Sequence, residues 1–180
     1  MNTKDQLKKL AQEGDEEAQY ALGRLYEFAA SASQAQKDFN KRRAMPYYQA
    51  AAEKGHPEAA LRYALGCERG YTGIAQPEEA FKYYKKAAVL SNIRAHYELA
   101  RCFENGIGTT KSIGRAMENY GRTVRLIRTL IADIQCGRIP LTAAYTPDLN
   151  EANWILKKAE ERIKDIGQAP TLGTPPPKLG

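Results

Sequence analysis

One spacing governs this chain: positions 36 residues apart carry the same kinds of side chain. Ala44, Tyr47, Tyr48, Ala51 and Ala52 recur as Ala80, Tyr83, Tyr84, Ala87 and Ala88, and again, with substitutions, as Ala116, Asn119, Tyr120, Thr123 and Val124. A second set, Gly55, Ala59, Tyr63, Ala64, Cys67 and Gly70, returns after the same interval as Ser91, Ala95, Leu99, Ala100, Phe103 and Gly106. An earlier copy, Gly14, Ala18, Leu22, Gly23 and Tyr26, stands 41 residues ahead of the second, with the five extra residues falling between Glu27 and Ala44. A period of this length describes an array of small units, each unable to bury its apolar face without a neighbour.

Within each unit the apolar side chains keep helical spacing. Ala18, Leu22, Leu25 and Tyr26 share one face, as do Ala95, Leu99 and Phe103. Gly23, Ala64 and Ala100 allow close approach of a partner helix, while the tyrosine pairs fill the gaps between neighbours. Pro57 and Pro77 suit first turns, Glu58, Glu78 and Glu79 suit the positive helix end, and Gly70 and Gly106 suit left-handed helix stops. These features predict an all-α, right-handed α/α solenoid of about three antiparallel helix pairs, preceded by a partial helix at Thr3 to Glu13.

The phrases that carry the period also resemble a known family. Residues 14–26, reading GDEEAQYALGRLY, and 95–108, reading AHYELARCFENGIG, resemble Sel-like repeats, relatives of the tetratricopeptide repeat; so do 47–56 and 83–88. The resemblance covers about residues 5 to 124. It departs from the pattern at Phe28 to Gln36, where a glycine turn is replaced, and at Tyr63-Ala64-Leu65-Gly66, where Leu-Gly is expected. Membership would imply adaptor, regulatory or neutralising roles through protein binding, several of them bacterial, including immunity proteins that sequester a secreted toxin.

The C-terminal third does not repeat. Met117, Tyr120, Val124, Ile127, Ile131 and Ile134 step by three and four, so the second helix of the third pair is expected to run to about Cys136. After an irregular stretch, Thr146 and Pro147 are placed to start a last helix whose stripe is Leu149, Ala152, Leu156, Ala159, Ile163 and Ile166, with Trp154 as a large anchor. This helix is expected to seal the stack. The organisation predicted is therefore a solenoid over 1–124, a helical extension and cap over 125–166 in the same domain, and a Pro-rich tail over 167–180 that is extended or disordered.

Composition narrows the function. No run approaches the roughly 18 uncharged apolar residues of a membrane span, and Met1 to Leu10 has no signal-peptide core. Cys67, Cys102 and Cys136 form no CxxC and read as free buried thiols, so the expected location is cytoplasmic. His56 and His96 stand 40 residues apart with no carboxylate or cysteine at ligand spacing, which argues against zinc. His56 reads as a turn residue; His96 and Cys102, six apart on one helix, do not face each other as a nucleophile pair. Gly70-Tyr71-Thr72-Gly73 and Gly106-Ile107-Gly108 lack the strand and the Lys-Ser/Thr of a phosphate loop. No enzyme, cofactor or metal is expected.

Charge points to partners. The chain carries a formal +6, of which residues 1–110 supply +2 and residues 111–138 supply +4, with 139–180 balanced. By the helical wheel Gln19, Arg24, Arg62, His96 and Arg101 lie on the concave wall, outside the repeat pattern. The 16-residue connection from Phe28 to Arg43 is expected to project from one edge and adds Arg42 and Arg43. Arg122, Arg125 and Arg128 drift along one face of the basic helix. The expected function is non-catalytic binding of a protein, acidic in surface and a toxin or secreted effector among the candidates, by a cytoplasmic adaptor or immunity protein. The alternative is a nucleic-acid-associated protein using the basic helix 115–138, weakened by the absence of interleaved aromatics beyond Tyr120.

Overall fold

The structure, a computed structural model, describes residues 3–31, 33–138 and 149–168. Within them the chain forms eight α-helices and no strand: α1 (Thr3–Glu13), α2 (Glu16–Glu27), α3 (Gln34–Glu53), α4 (Pro57–Glu68), α5 (Pro77–Val89), α6 (Ile93–Asn105), α7 (Ile113–Gln135) and α8 (Leu149–Gln168). Each helix packs on the next, and α8 also reaches α6. The three units are α2–α3, α4–α5 and α6–α7. α1 has the phase of a second helix, because Leu7 and Lys8 stand 77 residues before Tyr84 and Lys85.

Helix starts keep the period. Asp15, His56 and Asn92 cap α2, α4 and α6, accepting from the backbone N–H groups of Ala18, Ala59 and Ala95 at 2.7, 3.1 and 3.0 Å. His56 is thus the turn residue expected of it. Pro57 and Pro77 occupy the first turns of α4 and α5, and Gly106 ends α6 in the left-handed conformation at φ 74°.

The five-residue insertion behaves differently from the expectation of a projecting connection. Asn40 stands in the phase of Gln76 and Ser112, the caps of α5 and α7, yet α3 starts at Gln34, with Ser33 as its cap. The extra residues therefore become additional helical turn at the start of α3. Alanine and glutamine favour helix, and Gln34–Asp38 and Gln36–Asn40 side-chain bonds brace successive turns at 2.9 and 3.0 Å. Asn40 donates to the Ala29 carbonyl, folding the short turn back on the helix.

Small and large residues interlock as the pattern requires. Ala44, Ala51, Ala64, Ala87 and Ala100 are fully buried, and a Cβ on Gly23 would lie 2.6 Å from the ring of Tyr48. α7 runs to Gln135, as expected, and α8 packs on it through Ala152, Ile155 and Ala159. Ile155, absent from the expected stripe, is fully buried, whereas Trp154 is 51% exposed and touches Tyr97 only edge-on. Cys67 and Cys102 are buried and Cys136 is exposed. The expected cap at Thr146 and Pro147 and the tail beyond Gln168 lie outside the described residues.

Candidate partner-binding grooves and the ladder that frames them

A polar ladder joins the units. The buried Tyr48, Tyr84 and Tyr120 donate their hydroxyls to Glu27, Glu68 and Glu104 at 2.5, 2.7 and 2.7 Å. Each carboxylate also takes an arginine from the next first helix: Arg62 to Glu27 at 3.0 Å, Arg101 to Glu68, and Arg162 of α8 to Glu104. Burial, reinforced by nearby carboxylates, pushes all three phenols well above the usual tyrosine range, so they remain donors. Burial also raises the carboxyls of Glu68 and Glu104, but the hydrogen bonds from arginine and tyrosine outweigh it and hold both below the usual range. α8 thus supplies at the end of the stack the guanidinium that a further unit would supply, which is the physical content of its sealing role. Arg94 of α6 adds a pair to Glu151 of α8.

The ladder reassigns two residues expected as partner contacts on the concave wall. Arg62 and Arg101 are half-buried and held by two carboxylates each, Arg62 also by Glu58 at 3.1 Å and Arg101 by Glu98 at 3.0 Å. They set the docking of one unit on the next. Gln19 and His96 are buried, at 8% and 6% exposure, because they sit where a first helix faces the second helices on either side. Gln19 donates to the Ala11 carbonyl at 3.1 Å and ties α2 to α1.

Two grooves open over these buried residues. One, of about 450 Å³, lies over α2 between α1 and α3 and is lined by Lys8, Gln19, Leu22 and Tyr47 among others. The other, of about 360 Å³, lies over α6 between α5 and α7 and is lined by Lys85, His96, Leu99, Asn119 and Arg122 among others. They are the same place in two units: Lys8, Gln19 and Leu22 precede Lys85, His96 and Leu99 by 77 residues, and Tyr47 precedes Asn119 by 72. At the equivalent place in the middle unit, Tyr63 and Tyr83 pack edge-on with centroids 4.6 Å apart and Ala60 replaces the polar side chain. That position is filled. Both open grooves keep a buried polar atom with no hydrogen-bond partner among the described residues, Oε1 of Gln19 and Nδ1 of His96. Such an atom costs stability unless something satisfies it.

The remaining expected contacts are exposed. Arg122 borders the second groove, Arg125 follows it one turn on, and Arg128 pairs with Glu160 of α8 at 2.7 Å. Arg42 and Arg43 are exposed on α3, and Arg24 on α2. Sequence reasoning missed the aromatic rings that go with them. Arg43 lies 4.4 Å from the ring centre of Tyr26 and 5.8 Å from that of Phe39, and Arg24 and Arg62 flank Phe28 at 5.6 and 5.5 Å. Phe28 and Phe39 are 62% and 53% exposed, and their position in the insertion, beside arginines, is the signal that marks them.

Chemical side chains are otherwise quiet. Burial pushes the Cys102 thiol up to about 12 and raises that of Cys67, so neither forms thiolate near neutral pH. Burial lowers His96 as well, outweighing the opposing effect of Asn119, and Arg122 adds to the lowering. Among the described residues no group of three potential ligands gathers for a metal, and no helix is long and apolar enough to cross a membrane.

Known proteins are similar to this chain in sequence and in fold. The chain is 34% identical over 83 residues to chitin synthase regulatory factor 1 of Schizosaccharomyces pombe, a match covering 45% of this chain and 18% of that one. It is 33% identical over 82 residues to a putative ERAD-associated E3 ubiquitin-protein ligase component of the same organism, covering 45% of this chain and 12% of that protein. It therefore spans less than a fifth of either relative. The crystal structure of a Sel1 repeat protein from Oxalobacter formigenes superposes with a TM-score of 0.60 at 26% identity, covering 89% of this chain and 96% of that one. The Sel1 repeat model matches residues 16–56, 57–91 and 93–124, the three units bounded by the polar caps, and the chain belongs to the Sel1 repeat family.

Proposed function

We propose that this protein is a non-catalytic, cytoplasmic binding module whose protein partner seats on the face where the two grooves open. The observation that carries this reading is the pair of repeat-equivalent grooves, each with a buried polar atom lacking a partner and a basic side chain at its rim. Repeat scaffolds of this family mediate protein–protein interaction, and a stack whose units are locked by buried rungs presents such a surface with little ordering cost on binding. Arg122 at the rim of the second groove, Arg125 one turn on, and the exposed Arg24, Arg42 and Arg43 are the partner contacts, Gln19 and His96 belong to the groove floors, and Arg62, Arg101 and Arg128 act by holding the scaffold. The +6 charge favours a partner with an acidic surface.

The role is that of an adaptor or of an immunity protein masking a toxin. The name of one relative, a regulatory factor, fits a protein that acts by binding. The test is affinity capture from native lysate with and without nuclease, read by mass spectrometry. A stoichiometric protein retained after nuclease supports the reading, and that protein's own activity, toxic or not, separates the two roles. Recovery of nothing but nuclease-sensitive material would overturn it in favour of nucleic acid at Arg122, Arg125 and Arg128.

A further inference from the structure

We infer that the groove between α5, α6 and α7 is a socket for an acidic peptide segment of a partner protein, with a carboxylate held between Lys85 and Arg122 and hydrogen-bonded at the His96–Asn119 floor. This deepens the protein-binding reading and rests on it. Lys85 and Arg122 come from helices on opposite sides of the groove, no acidic residue lines it, and neither cation has an ion-pair partner among the described residues. The neighbouring arginines of the ladder are all neutralised, each by at least one carboxylate. Positive potential is therefore concentrated here and cancelled one layer below.

The floor adds a second observation. His96 is 6% exposed, lines the cavity, and leaves Nδ1 without a hydrogen-bond partner. In the equivalent groove Gln19 already spends its amide on the Ala11 carbonyl, and in the middle unit the position is Ala60. Only in the third unit, among the described residues, does a basic rim lie over a buried side chain with an unsatisfied nitrogen. Burial and the Arg122 charge outweigh the opposing effect of Asn119 and lower the imidazole pKa in the free protein, and an incoming carboxylate opposes that lowering.

The walls set the rest of the ligand. Leu99 and Leu126 line the cavity and Val89, at its edge, is 84% exposed, so an apolar side chain next to the acidic one has surface to cover. No Phe, Tyr or Trp lines this groove, and the buried His96 imidazole is a poor platform for the successive base stacking that favours single-stranded nucleic acid. A peptide carboxylate fits both the charge and the absence of large aromatic side chains.

The experiment sorts a random short-peptide display library on the full chain, with the Lys85→Glu/Arg122→Glu variant as counter-target. Lys157→Glu/Lys164→Glu on α8 makes the same charge change elsewhere, both sites being exposed. Circular dichroism verifies helicity in each. The expected result is enrichment of peptides carrying Asp or Glu beside an apolar residue, whose affinity by fluorescence anisotropy falls at least about tenfold in the groove variant and is unchanged in the α8 variant. A His96→Ala chain should lose affinity for the same peptides. Peptides without acids, an equal loss in both charge variants, no enrichment, or tighter binding of a single-stranded DNA probe would each overturn the socket. A partner still captured from lysate by the groove variant would leave the broader protein-binding reading standing while this inference fails.

Discussion

Removing Glu68 tests whether a rung of the ladder acts as a unit. Tyr84 is fully buried and its hydroxyl lies 2.7 Å from Glu68, so Glu68→Ala removes the charged acceptor of a buried phenol. A hydrogen bond to a charged group contributes about 1.5–3 kcal/mol. Arg101 loses its stronger partner but keeps Glu98 at 3.0 Å, which limits that loss to about 0–1 kcal/mol. Together the cost is about 1.5–4 kcal/mol, or roughly 3–16 °C in Tm for a chain of this size. Tyr84→Phe should cost less, about 1–2 kcal/mol, because the half-buried Glu68 retains Arg101 and access to water.

The decisive number is the coupling between Tyr84 and Arg101, which share Glu68. A double-mutant cycle of Tyr84→Phe and Arg101→Ala should give about 0.5–2 kcal/mol of coupling, and the same cycle built on Glu68→Ala should give none beyond about 0.3 kcal/mol. Urea unfolding followed by circular dichroism and by Trp154 fluorescence supplies the free energies, and coincident curves verify that the array melts as one. Additive effects in the wild-type background, or coupling that survives loss of Glu68, would refute the rung as the unit of inter-repeat docking.

Two further outcomes are expected. Because the Glu68 and Glu104 carboxyls are held below the usual range by arginine and tyrosine, their contribution is complete above the unfolded carboxyl pKa of about 4.3 and is lost as pH falls through the folded values. Thermal melts should show a steeper fall below about pH 4.5 in the wild type than in Glu68→Gln/Glu104→Gln; parallel profiles would count against the rungs, and Glu58, raised by burial, works in the opposite direction. Gly108→Ala should be far more damaging than Gly137→Ala. Both have left-handed φ, 61° and 69°, but a Cβ at Gly108 would lie 1.9 Å from the Pro77 carbonyl oxygen while Gly137 has nothing within 4 Å. The first should cost about 2–4 kcal/mol and the second about 1 kcal/mol, and equal losses in urea unfolding would sink the distinction.

The helices and their borders were legible because they depend on local, periodic choices: a polar cap, a proline in the first turn, a glycine at the end. The extension of α3 was not, since a stretch of alanine, serine and glutamine suits either a connection or a helix until Ser33 and Asn40 are seen to cap and brace it. The rungs escaped for a different reason. Their three members come from three helices, the glutamate-to-tyrosine interval is 21 residues in the first unit and 16 in the others, and the third arginine stands 58 residues after its glutamate. Glu27, Glu68 and Glu104 do recur at the 41- and 36-residue intervals of the repeat. That recurrence was the available signal, and reading Arg62 and Arg101 as partner contacts on the concave wall missed it because each serves the unit before its own. Exposure at Trp154 and Cys136 likewise depends on how α7 and α8 meet, which no local pattern encodes.

The placement of the rung residues bears on how such a protein lengthens over generations. A unit such as α4–α5 holds a glutamate and a tyrosine for its own rung, Glu68 and Tyr84, and an arginine, Arg62, that completes the rung of its predecessor. A tandem duplication of that stretch therefore arrives with everything both neighbours require: the copy's arginine closes the rung behind it, and its open carboxylate meets the arginine ahead. Growth by whole units is self-registering, and a duplication out of phase is rejected at once by a stranded buried phenol.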